Sequence, residues 1–116
     1  MSRTPNILTF YNSTVSNMVD GPSYYGFSSG IFTVGYFIKN FSGRIYVEAS
    51  LVKYPSENDW FSVKINNYLY NQYDNETRSE IFNLKCNAIK IRIRVDQAYI
   101  PSSTPTGDIQ HAYVLI

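Results

Sequence analysis

His111 is the one histidine and Cys86 the one cysteine among 116 residues, so chemistry that needs either has little to draw on. A zinc site takes three or four ligands, and no cluster with ligand spacing surrounds either residue. Strand alternation puts His111 on the same face as Ile109 and Tyr113, which predicts an ordinary strand residue. Cys86 lies in Asn83-Leu84-Lys85-Cys86-Asn87-Ala88, which carries no nucleophile signature; a half-buried structural thiol is expected. A single cysteine also excludes an intramolecular disulfide. Sugar hydrolysis needs only two carboxylates. The available pairs, Glu57 with Asp59 and Asp74 with Glu76, sit in polar turns where nothing raises a pKa. Neither has the ligand spacing of a calcium loop. A nucleophile elbow, a phosphate-cradling glycine loop and a dinucleotide fingerprint are missing. The residues predict no catalytic group, no cofactor and no metal.

Recognition is the other use of such side chains. Lys90, Arg92 and Arg94 alternate along one segment and form a basic row with neighbours about 7 Å apart. Nucleic-acid binding would want more such rows with aromatics among them. The whole chain carries 10 Lys and Arg against 9 Asp and Glu, so no nucleic-acid partner is expected. The row reads as a solvated or edge-protecting face, or as a salt-bridged subunit interface, with Glu48 on another outward face to neutralise part of it. Charged residues are only 16% of the chain, below the roughly 25% of soluble domains. Asn, Ser, Thr and Tyr replace them, which suits a surface that meets protein. The 11 Tyr support the same reading, because a tyrosine joins a large apolar ring to a hydroxyl. Asn66 to Arg78 is expected to be a Tyr-rich exposed loop ending in an Asp74-Asn75-Glu76 turn. The candidate interface residues are therefore Tyr68, Tyr70, Tyr73, Lys90, Arg92 and Arg94.

Two-residue alternation dominates the elements that must position these groups, and helical periodicity is almost absent. Ile45, Val47, Ala49 and Leu51 are expected inward, with Arg44, Tyr46, Glu48 and Ser50 outward. Ile89, Ile91, Ile93 and Val95 repeat the pattern, with the basic row outward. Ile7 to Tyr11, Ile31 to Ile38, Phe61 to Ile65, Ser79 to Leu84 and Ile109 to Leu115 are further strands, and Tyr24 to Phe27 is a weak one. Gly35 falls opposite the Phe32, Val34, Tyr36 and Ile38 face and marks a bulge or a close backbone approach. Asn40-Phe41-Ser42-Gly43 reads as a hairpin loop. Pro55 to Asp59 reads as a polar turn, and Pro101 to Asp108 as a longer loop. About eight short strands predict a single-domain antiparallel β-sandwich over residues 1–116, jelly-roll-like.

Hydrophobic residues make up 44% of the chain, enough for a core. No apolar run has the length of a signal peptide or of a membrane span, so the expectation is a soluble product of the cytosol with no membrane partner. Three Asn-x-Ser/Thr sequons, at Asn12, Asn40 and Asn75, carry little meaning in that setting.

The middle of the chain holds the most specific string. Phe41-Ser42-Gly43-Arg44-Ile45-Tyr46-Val47-Glu48-Ala49-Ser50-Leu51 is followed by Pro55 and then by Asn58-Asp59-Trp60-Phe61. Later come Ile91-Arg92-Ile93-Arg94-Val95 and Gly107-Asp108-Ile109. Over residues 31 to 115 this pattern resembles β-sandwich virion structural proteins of tailed bacteriophages, cyanophage-like ones in particular. The resemblance implies a viral structural protein of the virion, assembled from host cytoplasm. It would be a capsid decoration or cement protein bound to the major capsid protein or other virion proteins, and a homo-oligomer such as a trimer. A neck, tail or baseplate component is the alternative within the particle. A carbohydrate-binding module, with Trp60 and several Tyr as stacking platforms, is the alternative outside it. The resemblance carries over no catalytic residue.

Overall fold

The computed structural model describes residues 6–10, 14–23, 30–97 and 107–116. These hold seven antiparallel strands: β1 (Asn6–Ile7), β2 (Val19–Asp20), β3 (Ile31–Ser50), β4 (Phe61–Ser62), β5 (Asn71–Lys85), β6 (Lys90–Asp96) and β7 (Asp108–Leu115). A single 3-10 turn covers Glu57–Asp59. No helix among the described residues is long and apolar enough to cross a membrane. The protein is an all-β antiparallel sandwich, as the alternation predicts, and its sheet nearly closes on itself. The candidate strand Tyr24 to Phe27 and residues 101–106 of the long loop lie outside the described residues.

The architecture follows from β3, which belongs to both layers. Its first half, from Ile31 to Lys39, lies between β5 and β7. Its second half, from Arg44 to Ser50, lies between β6 on one side and the start of β5, then β4, on the other. β1 extends the first layer beyond β7, and β2 extends the second beyond β6. The free flanks then meet, because Phe10 bridges Ser16 and the Asn17 amide donates to the Thr9 carbonyl at 2.9 Å.

Asn40-Phe41-Ser42-Gly43 is thus no hairpin loop but the bend within one continuous strand. Before the bend the even residues Phe32, Val34, Tyr36 and Ile38 are buried; after it the odd residues Ile45, Val47 and Ala49 are. The ladder with β5 slips between Ile38 and Phe41 and again between Phe41 and Gly43. Such bulges add unpaired residues and reset the alternation. Asn40 takes φ 50° and Gly43 φ 144°, left-handed conformations that asparagine tolerates and glycine enters freely. A Cβ on Gly43 would also lie 3.0 Å from the Asp96 carbonyl oxygen. β5 bends in parallel at Asn75, again with φ 50°. Side chains satisfy the amides that the bulges release: Asn40 N–H donates to Thr77 Oγ1 at 2.9 Å and Asn75 N–H to Ser42 Oγ at 2.8 Å.

Three other expectations change for the same reason. The segment predicted as a loop from Asn66 to Arg78 is strand from Asn71 onward, because β5 follows β3 through the bend. Asp74-Asn75-Glu76 is the bend itself. Leu51 is 63% exposed, since β3 has ended at Ser50. Phe61 to Ile65 forms only two residues of strand, although Val63 and Ile65 remain in the core. In β7 a slip beside Phe37 and Ile38 skips Gln110. It turns Ile109 toward the core and leaves His111 outward, so the two do not share a face.

Inside the corner, Asn71 Nδ2 donates to the Tyr36 hydroxyl at 3.1 Å, and the Tyr36 and Tyr73 hydroxyls lie 2.6 Å apart. Tyr73 donates onward to Glu80 Oε2 at 3.1 Å. Burial pushes the Tyr36 phenol up to about 12 and raises Tyr73 as well. Since folding favours the neutral phenols, stability should be flat below the free-phenol pKa near 10 and fall as pH rises from there toward about 12. Tyr73→Phe leaves the Tyr36 hydroxyl proton without its acceptor and should cost about 1–3 kcal/mol in urea unfolding at neutral pH. An unchanged midpoint would show that the hydroxyl chain contributes nothing to the corner.

Candidate interaction surface

The second layer turns its polar face outward, and four of the predicted interface residues, Tyr70, Lys90, Arg92 and Arg94, lie there. β6 lies against β3 with Tyr46 opposite Arg94, Glu48 opposite Arg92 and Ser50 opposite Lys90. Glu48, expected on a solvated face, is only 6% exposed, and Arg92 only 7%. Glu48 accepts from Arg92 Nε at 2.8 Å through one oxygen and from Arg94 Nε at 2.9 Å through the other. Arg92 also donates two 3.3 Å hydrogen bonds to Glu57, which the 3-10 turn carries over the face. Lys90 Nζ lies 2.6 Å from Asp20 on β2. The basic row is therefore neutralised within the chain.

Aromatic rings complete the arrangement. The Arg92 guanidinium covers Trp60 at 4.3 Å, Arg94 covers Tyr46 at 3.9 Å and Arg44 covers Tyr70 at 4.1 Å. Tyr46 and Tyr70 pack with centroids 5.7 Å apart. Arg92 and Arg94 are each held by a carboxylate and by a ring face, and Arg44 by the Gln72 side chain at 2.9 Å and the Tyr70 ring. Burial lowers the Arg94 pKa, but the Glu48 carboxylate outweighs it and the net shift is upward. The hydrogen-bonded Arg92 guanidinium holds the exposed Glu57 carboxyl below the usual carboxylate range. Glu57 and Asp59 are not two free turn acids. Asp59 Oδ2 accepts from the Ser56 amide at 2.8 Å and so fixes the turn that delivers Glu57.

Of the six candidate residues, only Tyr68 stands well out, 68% exposed on the tight turn between Ile65 and Tyr68. Tyr70, Lys90 and Arg94 are half-buried on this face. Tyr73 and Arg92 are buried, which removes them from any contact surface. Tyr73 misled because the bend at Asn75 turns it inward. Cys86 is half-buried against the core, and burial pushes its thiol up. No three His, Cys, Asp or Glu side chains converge among the described residues.

The surface that composition alone did not reveal is the outer face of the first layer. Ile81 and Tyr113 are exposed on either side of Gly35, with Phe37 half-buried in the next row and Ile31 exposed at the start of the strand; Ile81 reaches 75%. Two further apolar sites stand apart from it: Leu51, Val52 and Tyr54 on the segment after β3, with Tyr54 80% exposed, and Tyr68 with Leu69 on the turn before β5.

No family model and no curated protein matches the chain. Among solved structures, the K1 cleaved adhesin domain of Lys-gingipain from Porphyromonas gingivalis W83 is similar at a TM-score of 0.39 and 11% identity. That likeness covers 87% of this chain, which spans only 57% of the adhesin domain.

Removing Glu48 leaves Arg92 buried without its closest partner, so Glu48→Ala should destabilise by about 3–5 kcal/mol. Replacing both partners, Glu48→Leu with Arg92→Met, should recover most of that loss, as buried ion pairs commonly do when exchanged for apolar side chains. Urea unfolding of both variants checks the pair. A single variant as stable as the parent would show that the ion pair is not structural.

Proposed function

We propose that this chain is a non-enzymatic structural protein of a virus particle, a decoration protein held on the capsid shell by several modest contacts. The observation that carries this reading is the spread of exposed large apolar side chains over three separate sites: the Ile81 face, the Leu51 to Tyr54 segment and the Tyr68–Leu69 turn. Isolated exposed apolar residues are ordinary, but contiguous groups mark contact with protein. Three such sites suit a molecule lodged among several neighbours. In a symmetric shell many weak contacts act together, and none has to be strong. The resemblance of the Arg44 to Leu51 strand and the Asp59-Trp60-Phe61 string to tailed-phage virion proteins supplies the kind of assembly.

The charged groups support a structural role as well. Those that sequence spacing offered for recognition, Arg92, Arg94 and Lys90, are engaged by Glu48, Glu57 and Asp20. Stacking of a sugar on Trp60 is disfavoured, because Arg92 already covers one face of the indole.

Quantitative mass spectrometry of purified particles tests the reading. A decoration protein should be present in on the order of hundreds of copies, as a symmetric shell requires. About a dozen or fewer, matching the low rotational order of a neck or tail, would move it there, and absence from particles would end the virion reading. Leu51→Ser with Tyr54→Ser lies outside the core and should leave the melting temperature unchanged. It should weaken attachment about tenfold for every 1.4 kcal/mol of lost apolar contact. Unchanged occupancy would remove that segment from the docking surface.

A further inference from the structure

The outer face of the first layer has a regular relief. In register across β3 and β5 stand Gly35 beside Ile81 and Phe37 beside Ser79, a small side chain next to a large one with the order reversed in the next row. On the other flank of β3, Gly35 faces Tyr113 and Phe37 faces His111. The result is a groove of about 490 Å³ with Gly35 as its floor and Phe37, Ile81, His111 and Tyr113 as its walls.

Nothing local requires glycine at position 35. It is not among the positive-φ residues, and the ladder with β5 runs without a slip from Ile31 to Ile38. An added Cβ would meet only the Glu80 carbonyl oxygen, at an ordinary 3.6 Å. Glycine weakens a strand relative to alanine, and inside a strand it often marks a place where another chain comes close.

We infer that this face joins two copies of the chain, the Ile81 of each seated in the Gly35 groove of the other. The occupant follows from the relief, because knob and hole are neighbours on one surface. A two-fold axis running along the strands between β3 and β5 lays β3 of one copy over β5 of the other. Gly35 then receives the partner's Ile81, Phe37 covers the partner's Ser79, and Thr33 meets the partner's Asn83. Large meets small at both central rows, and every contact is reciprocal, as an isologous interface demands. Charge agrees with shape: Lys85 falls opposite the partner's Ile31, an apolar side chain. Two strands about 4.8 Å apart and about eight residues long overlap in this arrangement and give about 260 Å² per copy, or about 520 Å² in all. That is below the roughly 1,200–2,000 Å² of stable complexes. The dimer is therefore weak in free solution and gains strength where both copies are anchored side by side.

Sedimentation equilibrium of the full chain tests this without any particle, so it can fail while the virion reading stands, and the reverse. The wild type should show a monomer–dimer equilibrium with a dissociation constant on the order of 10 µM to 1 mM. Gly35→Val fills the groove with a side chain suited to strands and should raise that constant at least about tenfold, the loss of one apolar contact. Ile81→Ser removes the knob from an exposed position and should do the same, with melting curves confirming that both variants fold. A wild type that stays monomeric to about 1 mM, or an Ile81→Ser variant that dimerises as well as the parent, overturns the proposal.

Discussion

Twenty residues of straight strand would reach about 66 Å, whereas the longest principal dimension of the molecule is 45 Å. β3 must therefore bend, and a bend that folds one layer over another has to keep the buried side chains facing the same interior. Along β3 the buried side chains change phase at the bend, from even positions before it to odd positions after it. The bulges between Ile38 and Gly43 supply the shift, and the parallel irregularity at Asn75 lets β5 follow. Phe32 to Ile38 and Ile45 to Ala49 thereby line one hydrophobic cluster. The Tyr36–Tyr73–Glu80 chain lies inside this corner, where two polar rings are buried because each satisfies the other's hydroxyl.

The two layers finish their outer faces in opposite ways. On the second layer, three arginines, three aromatic rings and Glu48 satisfy one another, and two of the charged groups are nearly inaccessible. A face so engaged offers little free hydrogen-bonding capacity to a partner; its charges hold β4, β6 and the 3-10 turn in place. On the first layer the outward residues of β3, β5 and β7 are mostly apolar or small, and few ionic contacts cross them. One face is closed by its own electrostatics, and the other is left for contact.

That division is what the proposed assembly role would draw on. Partner contacts built on apolar relief are short-ranged and insensitive to salt, which would suit the proposed role on a shell of many copies.

Alternation at Ile45 to Ala49 and at Ile91 to Val95 was legible from residue types alone, because side-chain period and burial are tied together wherever one sheet face is covered. The all-β class, the half-buried Cys86 and the glycine on the outer side of the Ile31 to Ile38 strand came from the same reasoning. Tertiary structure decided whatever depends on a partner distant in sequence. Asn40 to Gly43 has the composition of a hairpin turn, and only the ladders with β5, β6 and β7 make it a bend within one strand. Tyr73 looks like its neighbours Tyr68 and Tyr70, yet the bend turns it inward. Glu48 and Arg92 alternate as outward residues should, and they do point outward. What covers them is Glu57 and Trp60, brought over by a turn that local pattern can place in sequence but not in space.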